Sequence, residues 1–138
     1  MDFKSVSDLE KYLLKQISES LQKDVASDGR QLMREHVQDD VYSQYTPLDY
    51  ERVWGLINSC ESSMLNGDTL KLTNTRKGDE GENIPSIIEY SKGYSWGIDL
   101  DERIGPRPFF AKTYEDLSKS KARLFMKNAL NKRGFKIE

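Results

Sequence analysis

A chain of 138 residues with 36% hydrophobic and 32% charged side chains has the size and composition of one polar-surfaced domain, residues 1–138. The apolar share is low for a compact monomer, which favours extended elements or burial against a partner. The net charge of −2 argues against a dedicated nucleic-acid binder, for which a clearly basic domain is expected.

The cysteine content and the apolar pattern indicate the compartment. The single cysteine, Cys60, excludes an internal disulfide framework and fits a reducing environment. The polar start of the chain predicts no secretory signal. Because no stretch approaches the roughly 20 apolar residues of a transmembrane helix, we expect a protein of a cytoplasm-like environment with no membrane partner.

The first predicted element is a long helix over residues 8–39. Ser7 and Glu10 form a capping-box pattern at its start. Apolar residues then recur every four positions, which gives a slanted stripe along a straight helix. They are Leu9, Leu13, Ile17, Leu21 and Val25. Since a glycine inside a helix costs about 1 kcal/mol relative to alanine, we expect a bend near Gly29.

A tyrosine-rich segment follows, in which Pro47 ends any helix by Thr46. Its other distinctive members are Tyr42, Tyr45, Tyr50 and Arg52. In one interpretation, each ring packs and each hydroxyl binds water. In the other, the segment is a strip of protein interface, because Tyr and Arg are favoured where apolar contact meets a polar rim. The sequence leaves both open.

A β-hairpin is predicted in the middle of the chain. Asn66-Gly67 is a strong signal for a two-residue turn. Residues 69–73 alternate polar and apolar side chains, as a half-buried strand does. The preceding strand is expected to start near Leu56 or Ile57.

Residues 74–83 contain no apolar side chain, so nothing in them offsets the entropy cost of ordering the segment. We therefore expect a mobile loop in the free protein. If the protein forms a ring, we expect this loop to order against a neighbouring subunit, with Arg76 and Lys77 among its contacts. Residues 84–90 follow as a short apolar segment whose structural class the pattern leaves open.

Residues 105–110, Gly-Pro-Arg-Pro-Phe-Phe, predict a rigid elbow before the last helix. The two prolines forbid regular helix or central strand and bias the residue before each towards extended backbone. Phe109 and Phe110 supply an apolar anchor. Arg107 has two possible partners: a carboxylate of another subunit, or one of Asp99, Asp101 and Glu102 in the same chain.

The last predicted helix covers residues 112–132, and its surroundings are basic. Its expected buried residues are Tyr114, Leu117, Leu124, Phe125 and Leu130. Gly134 lies in the expected C-cap region. The excess of Lys and Arg could contact phosphates, although a solvated face is the commoner role of such charges.

No combination of residues typical of catalysis is found. His36, the only histidine, lies on the inner stripe of the first helix, where a packed or hydrogen-bonded structural role is expected. A metal site needs several His, Cys or clustered carboxylate ligands, and the acidic pair Asp39-Asp40 has no matching motif. The glycines form neither a P-loop nor a dinucleotide fingerprint, and Cys60 is expected to be buried. We predict no enzyme, no cofactor and no metal.

Two segments together resemble a known family, the small head–tail joining (tail-completion) proteins of tailed bacteriophages. The first segment follows a long N-terminal helix and contains Val41, Tyr42, Tyr45, Pro47, Tyr50 and Arg52. The second contains Ile88-Glu89-Tyr90, Gly93-Tyr94 and the elbow Pro106-Arg107-Pro108-Phe109. The order of elements matches over essentially the whole chain. Val53 departs from the pattern, because a further basic residue is expected there, and the β region is short.

The resemblance implies an α+β fold in which long N- and C-terminal helices pack on a small antiparallel sheet. It implies a structural virion protein of the phage neck or upper tail, assembled in the host bacterial cytoplasm as a homo-oligomeric ring, with a hexamer as the first expectation. The implied partners are the connector or stopper and the tail tube or tail terminator, and any DNA contact is incidental.

The residues that we assign to protein interfaces are Tyr42, Tyr45, Pro47, Tyr50, Arg52, Arg76, Lys77 and Arg107. The alternative function is a small nucleic-acid-associated or regulatory binding module that uses the basic C-terminal helix.

Overall fold

Two long helical rods, one β-hairpin and one short helix are the main elements of the part of the protein that the structure describes. The computed structural model describes residues 3–44, 55–78, 81, 83–90 and 106–137. The predicted α+β class is confirmed, because the long terminal helices accompany a small two-stranded antiparallel sheet.

The N-terminal rod, residues 6–41, is continuously helical. It consists of α1 (Val6–Ser20), a π-helical turn (Leu21–Val25), α2 (Ala26–His36) and a second π-helical turn (Val37–Val41). A 3₁₀ turn, Tyr42–Gln44, follows it. The prediction of one long N-terminal helix is confirmed.

Two details of the rod differ from the sequence prediction. The N-cap is Ser5 rather than Ser7, and its hydroxyl accepts a hydrogen bond of 3.1 Å from the N–H of Asp8. Gly29 lies inside regular α2 instead of at a break. A Cβ built on Gly29 would lie 2.7 Å from Cδ1 of Leu72. The glycine therefore allows close approach to a strand, and the helix irregularities fall at the π turns instead.

The predicted apolar stripe of the rod is only partly covered. Val25 is buried, but Leu9, Leu13 and Ile17 are each 38% exposed. The main hydrophobic cluster takes its rod residues from α2 and the π turn after it, and none from α1. The periodicity of the stripe gave the apolar face correctly, but the described elements cover the first half of that face only in part.

The hairpin consists of β1 (Cys60–Asn66) and β2 (Thr69–Asn74), preceded by a 3₁₀ turn at Ile57–Ser59. The strands are antiparallel, and the register pairs Cys60 with Asn74. The turn residues are Gly67 and Asp68, one position later than predicted. The first strand also begins later than predicted, because residues 57–59 form the 3₁₀ turn.

The C-terminal rod, residues 109–132, starts earlier than the sequence predicted. It consists of α4 (Phe109–Asp116), a π-helical turn (Leu117–Lys121) and α5 (Ala122–Lys132). Before it, residues 84–90 form the short helix α3 (Ile84–Tyr90). Gly134 has φ of +94° just after the rod, as a C-terminal cap requires.

The burial predicted for the C-terminal rod is wrong at two positions. Tyr114 is 38% exposed and Leu124 is 44% exposed. Leu117, Phe125 and Leu130 are half-buried. Tyr114 lies at an edge instead: its hydroxyl accepts a hydrogen bond of 3.1 Å from the N–H of Leu72 and donates one of 2.8 Å to the carbonyl oxygen of Leu72.

The two rods run antiparallel. α2 packs against α4, while α5 packs against the first π turn and α1. The hairpin packs against α2. At the far end, Arg133 donates hydrogen bonds of 3.0 Å to Gln16 and 2.9 Å to Glu19. The core lies where α2, the hairpin, α3 and α4 meet. Its buried members are Met33, Val37, Val41, Tyr42, Leu56, Cys60, Leu72, Ile88 and Phe109.

Candidate functional site

The elbow before the C-terminal rod is held by α3. The carboxylate of Glu89 accepts a hydrogen bond of 3.0 Å from the N–H of Phe110 and one of 2.9 Å from the N–H of Ala111. Glu89 is buried. A carboxylate at this position accepts hydrogen bonds from two amides that the helix itself leaves unpaired. Its negative charge also interacts favourably with the positive end of the helix dipole. Glu89 therefore fixes the start of α4 against α3.

The backbone of the elbow makes the same connection. The N–H of Arg107 donates to the carbonyl oxygen of Ile88 at 3.0 Å. Phe109 is 0% exposed and joins the core beside Ile88. Two segments that lie about twenty positions apart in the sequence, residues 88–89 and 106–109, thus form one packed unit. We call this unit the elbow site.

Arg107 itself is 3% exposed. A side chain buried to this extent does not face another subunit, so its burial favours the intramolecular alternative. The candidate partners Asp99, Asp101 and Glu102 lie outside the described residues.

Tyr42 lies in the core instead of on a surface strip. It is buried, and its hydroxyl accepts a hydrogen bond of 3.1 Å from the N–H of Ile57. For this residue, the packed interpretation fits the geometry. The other members of the tyrosine-rich segment, Tyr45, Pro47, Tyr50 and Arg52, lie outside the described residues, so their interface role stays a prediction.

The start of the predicted loop is attached to the hairpin. Asn74 belongs to β2 and is buried, and its amide nitrogen donates to the carbonyl oxygen of Leu56 at 2.7 Å. Its amide oxygen accepts a hydrogen bond of 3.1 Å from the N–H of Arg76. Residue 74 is therefore a strand residue. The prediction placed Asn74 in the loop because its side chain is polar. A polar amide can nevertheless be buried in a strand when backbone groups satisfy its hydrogen bonds.

The two basic residues of this segment have different surroundings. Arg76 is half-buried, and its guanidinium lies where a Cβ on Gly55 would collide with it. Lys77 is exposed and pairs with Asn83 in an isolated antiparallel bridge. Lys77 is thus the more accessible of the two, while the mobility of the loop stays a prediction.

A histidine bridge links the two rods, and the sequence did not indicate it. The ring nitrogens of His36 lie 2.6 Å from a carboxylate oxygen of Asp40 and 2.6 Å from one of Asp116. The ammonium of Lys112 lies 3.0 Å from the other oxygen of Asp40. The spacing of four positions between His36 and Asp40 places the two side chains on the same face of a helix. Asp116 is 80 positions away, and no local pattern could have located it.

Burial and hydrogen bonding shift the pKa of His36 in opposite directions. Its partial burial acts to lower the pKa of His36, but the hydrogen bonds to Asp116 and Asp40 outweigh burial and raise the pKa above its ordinary value. Burial also raises the pKa of the Cys60 thiol, which is 3% exposed. Cys60 is thus the buried small residue that the sequence predicted.

Two cations of the C-terminal rod and the arginine that follows it are already paired within the chain. Lys119 binds Glu115, Lys112 binds Asp40, and Arg133 binds Glu19. Arg123 and Lys132 are exposed. The intramolecular pairs reduce the positive charge that this surface offers to a phosphate backbone.

An open, polar cleft of about 590 Å³ lies between the rods. It is lined by Asp24, Ser27, Asp28, Asn128, Ala129, Asn131 and Lys132. Within the described ranges, no group of three or more His, Cys, Asp or Glu side chains could hold a metal ion. Among the same residues, no helix combines the length and the apolar character needed to cross a bilayer.

Comparison with known proteins gives one family and one relative. The model of the YomN family matches residues 5–132, from the N-cap of α1 to the last residue of α5. The SPbeta prophage-derived uncharacterized protein YomN of Bacillus subtilis (strain 168) is 29% identical over 140 residues, which cover 98% of this chain and 99% of that protein. No solved structure matches the chain.

Proposed function

The chain belongs to the YomN family, and from that premise we propose that it is a structural virion protein of the phage neck or upper tail. In this proposal it joins the head connector to the tail tube as one component of a ring. The prophage-derived relative indicates a phage-derived protein, and both chains match over nearly their whole lengths. The neck role rests on the resemblance to tail-completion proteins.

The observation that carries the proposal is the elbow site. The second of the two segments that carry the resemblance contains two short motifs, Ile88-Glu89-Tyr90 and Pro106-Arg107-Pro108-Phe109. The side chain of Glu89 binds the first amides of α4, and the backbone of residue 107 binds that of residue 88. Two motifs of one segment thus contact each other in the fold and together fix the start of the C-terminal rod. This supports a shared architecture rather than a chance match of two short motifs.

The exposed aliphatic side chains of α1 support assembly. Val6 is 81% exposed and Leu14, which lies beside the stripe, is 58% exposed, while the stripe residue Leu13 is 38% exposed. Exposed apolar surface of this kind is typical of a protein that binds a partner. A ring repeats one heterologous contact until it closes, so a neighbouring copy would cover such a face in every subunit. Six copies is our first expectation, because phage tail tubes are six-fold.

The proposal is tested by deleting the gene from the phage and imaging the particles. We expect filled heads and separate tails by electron microscopy, and rejoined particles when the gene is supplied in trans. The protein should also be found in purified virions and, in an image reconstruction, at the neck. Deletion particles whose tails stay attached to their heads would contradict the proposed function.

Complementation also tests the role of the exposed aliphatic side chains of α1. Leu14→Glu should leave the fold intact, because the side chain is already 58% exposed, but should lower the titre of infectious particles at least tenfold. Lys15→Glu is the matched control, since it places the same side chain at the next exposed position. It should leave the titre unchanged. Equal titres for the two variants would show that Leu14 contacts no partner.

The alternative, a nucleic-acid-associated or regulatory module, draws on the exposed Arg123 and Lys132. It is the weaker candidate because Lys112, Lys119 and Arg133 are paired within the chain. Phosphate contacts give binding that weakens steeply with salt. A filter-binding titration with duplex DNA and with RNA at low salt should therefore detect no salt-dependent affinity if the neck proposal is correct.

A further inference from the structure

The bridge at His36 has a geometry that only one protonation state satisfies fully. Each ring nitrogen lies 2.6 Å from a carboxylate oxygen, one of Asp40 and one of Asp116. An ionised carboxylate only accepts hydrogen bonds, whereas a neutral imidazole carries a single N–H. Two such contacts therefore need the imidazolium, which donates from both nitrogens.

The charges around the ring balance in that state. The rod that carries His36 contributes Asp40, and α4 contributes Asp116 and Lys112. With the imidazolium present, these described groups comprise two carboxylates and two cations. Loss of the ring proton leaves two carboxylates facing one cation. It also leaves one carboxylate oxygen opposite a nitrogen lone pair at hydrogen-bond distance.

The bridge joins elements that are distant in the sequence. Asp40 lies in the second π turn of the N-terminal rod, and Asp116 is the last residue of α4. The Asp116 carboxylate is 40% exposed and the Asp40 carboxylate is 15% exposed. The contact to Asp116 is thus the more accessible to water, so it is the contact that opens when the ring can donate only once.

We propose that His36 is a pH-sensitive clasp between the two rods, which holds Asp40 and Asp116 together when the ring is protonated and releases Asp116 when it is not. The direction of the pKa shift agrees with this assignment. Because the pKa is raised in the folded chain, the stabilisation is fully present below the pKa of the unfolded chain, about 6.5. It is lost as the pH rises through the folded value. This inference goes beyond the proposed function and stands without it.

The chain has a single histidine, so its ring-proton NMR signals can be followed without ambiguity. We expect the titration midpoint of the folded protein to lie above that of the same chain in urea. Asp116→Asn should lower the midpoint. Glu115→Gln is the matched control, because Glu115 is the preceding residue and binds Lys119 instead of His36. It should leave the midpoint in place.

The opening itself is measured by amide exchange in the π turn after α4, residues 117–121, corrected for the intrinsic pH dependence of exchange. Protection in the wild type should fall as the pH passes the His36 midpoint, and in Asp116→Asn it should be low at every pH. A midpoint at or below the urea value, or one that Asp116→Asn does not move, would overturn the clasp. If Asp116→Asn does not fold, Asp40→Asn provides the same comparison of midpoints.

Discussion

Replacing Phe109 by alanine should remove a central part of the core. The side chain is 0% exposed and is among the largest fully buried ones described. Its neighbours in the cluster include Met33, Val37 and Ile88, which come from the N-terminal rod and α3. Phe→Ala at a fully buried site costs about 3–5 kcal/mol, the lost transfer free energy plus the cavity term. Domains of this size are stable by roughly 5–15 kcal/mol, so Phe109→Ala should remove a large part of the free energy of unfolding.

The adjacent phenylalanine is the control. Phe110 is half-buried, and its ring centroid lies 4.9 Å from that of Tyr114. Phe110→Ala should cost about 1–2 kcal/mol, from partial burial and one aromatic pair. Urea unfolding followed by circular dichroism gives both free energies from the midpoint and slope. Equal losses for the two variants would refute the assignment of Phe109 as the anchor. If Phe109→Ala is unfolded, Phe109→Leu should still cost more than Phe110→Leu.

Two further substitutions test the contacts of β2. Tyr114→Phe removes both hydrogen bonds to the backbone of Leu72 and should lower the free energy of unfolding in urea by about 1–3 kcal/mol. An unchanged midpoint would show that water replaces the hydroxyl. Gly29→Ala should cost about 1–3 kcal/mol by overpacking against Leu72. In a Leu72→Ala background the same change should instead stabilise by up to about 1 kcal/mol, and a cost that persists there would mean that Leu72 is not the obstacle.

The sequence was sufficient for elements with strong local signals. The long first helix and the hairpin follow from the apolar period and from turn residues, and both are present. Their boundaries moved by one to a few positions where a tertiary contact decided them. The C-terminal rod begins at Phe109 instead of near residue 112, because Glu89 supplies the cap that the local sequence lacks.

The sequence could not show which parts of the apolar face of a helix pack against other elements. Leu13 and Ile17 lie on the apolar stripe of α1 as the period requires, yet each is 38% exposed. A hydrophobic period specifies a direction around the helix axis, but the presence of a neighbour in that direction depends on the rest of the chain. The same limit applies to His36, whose spacing to Asp40 was visible and whose contact with Asp116 was not.

The antiparallel pairing of the two rods also determines when the protein can fold during synthesis. The core beside α2 stays incomplete until Phe109 has been synthesised, and Glu19 lacks its arginine until residue 133 has been added. Nearly the entire chain must therefore leave the ribosome before these contacts form. Until then, the N-terminal rod lacks the C-terminal rod that packs against it. We expect nascent chains that end before α4 to be sensitive to proteases, and full-length chains to become resistant only after release.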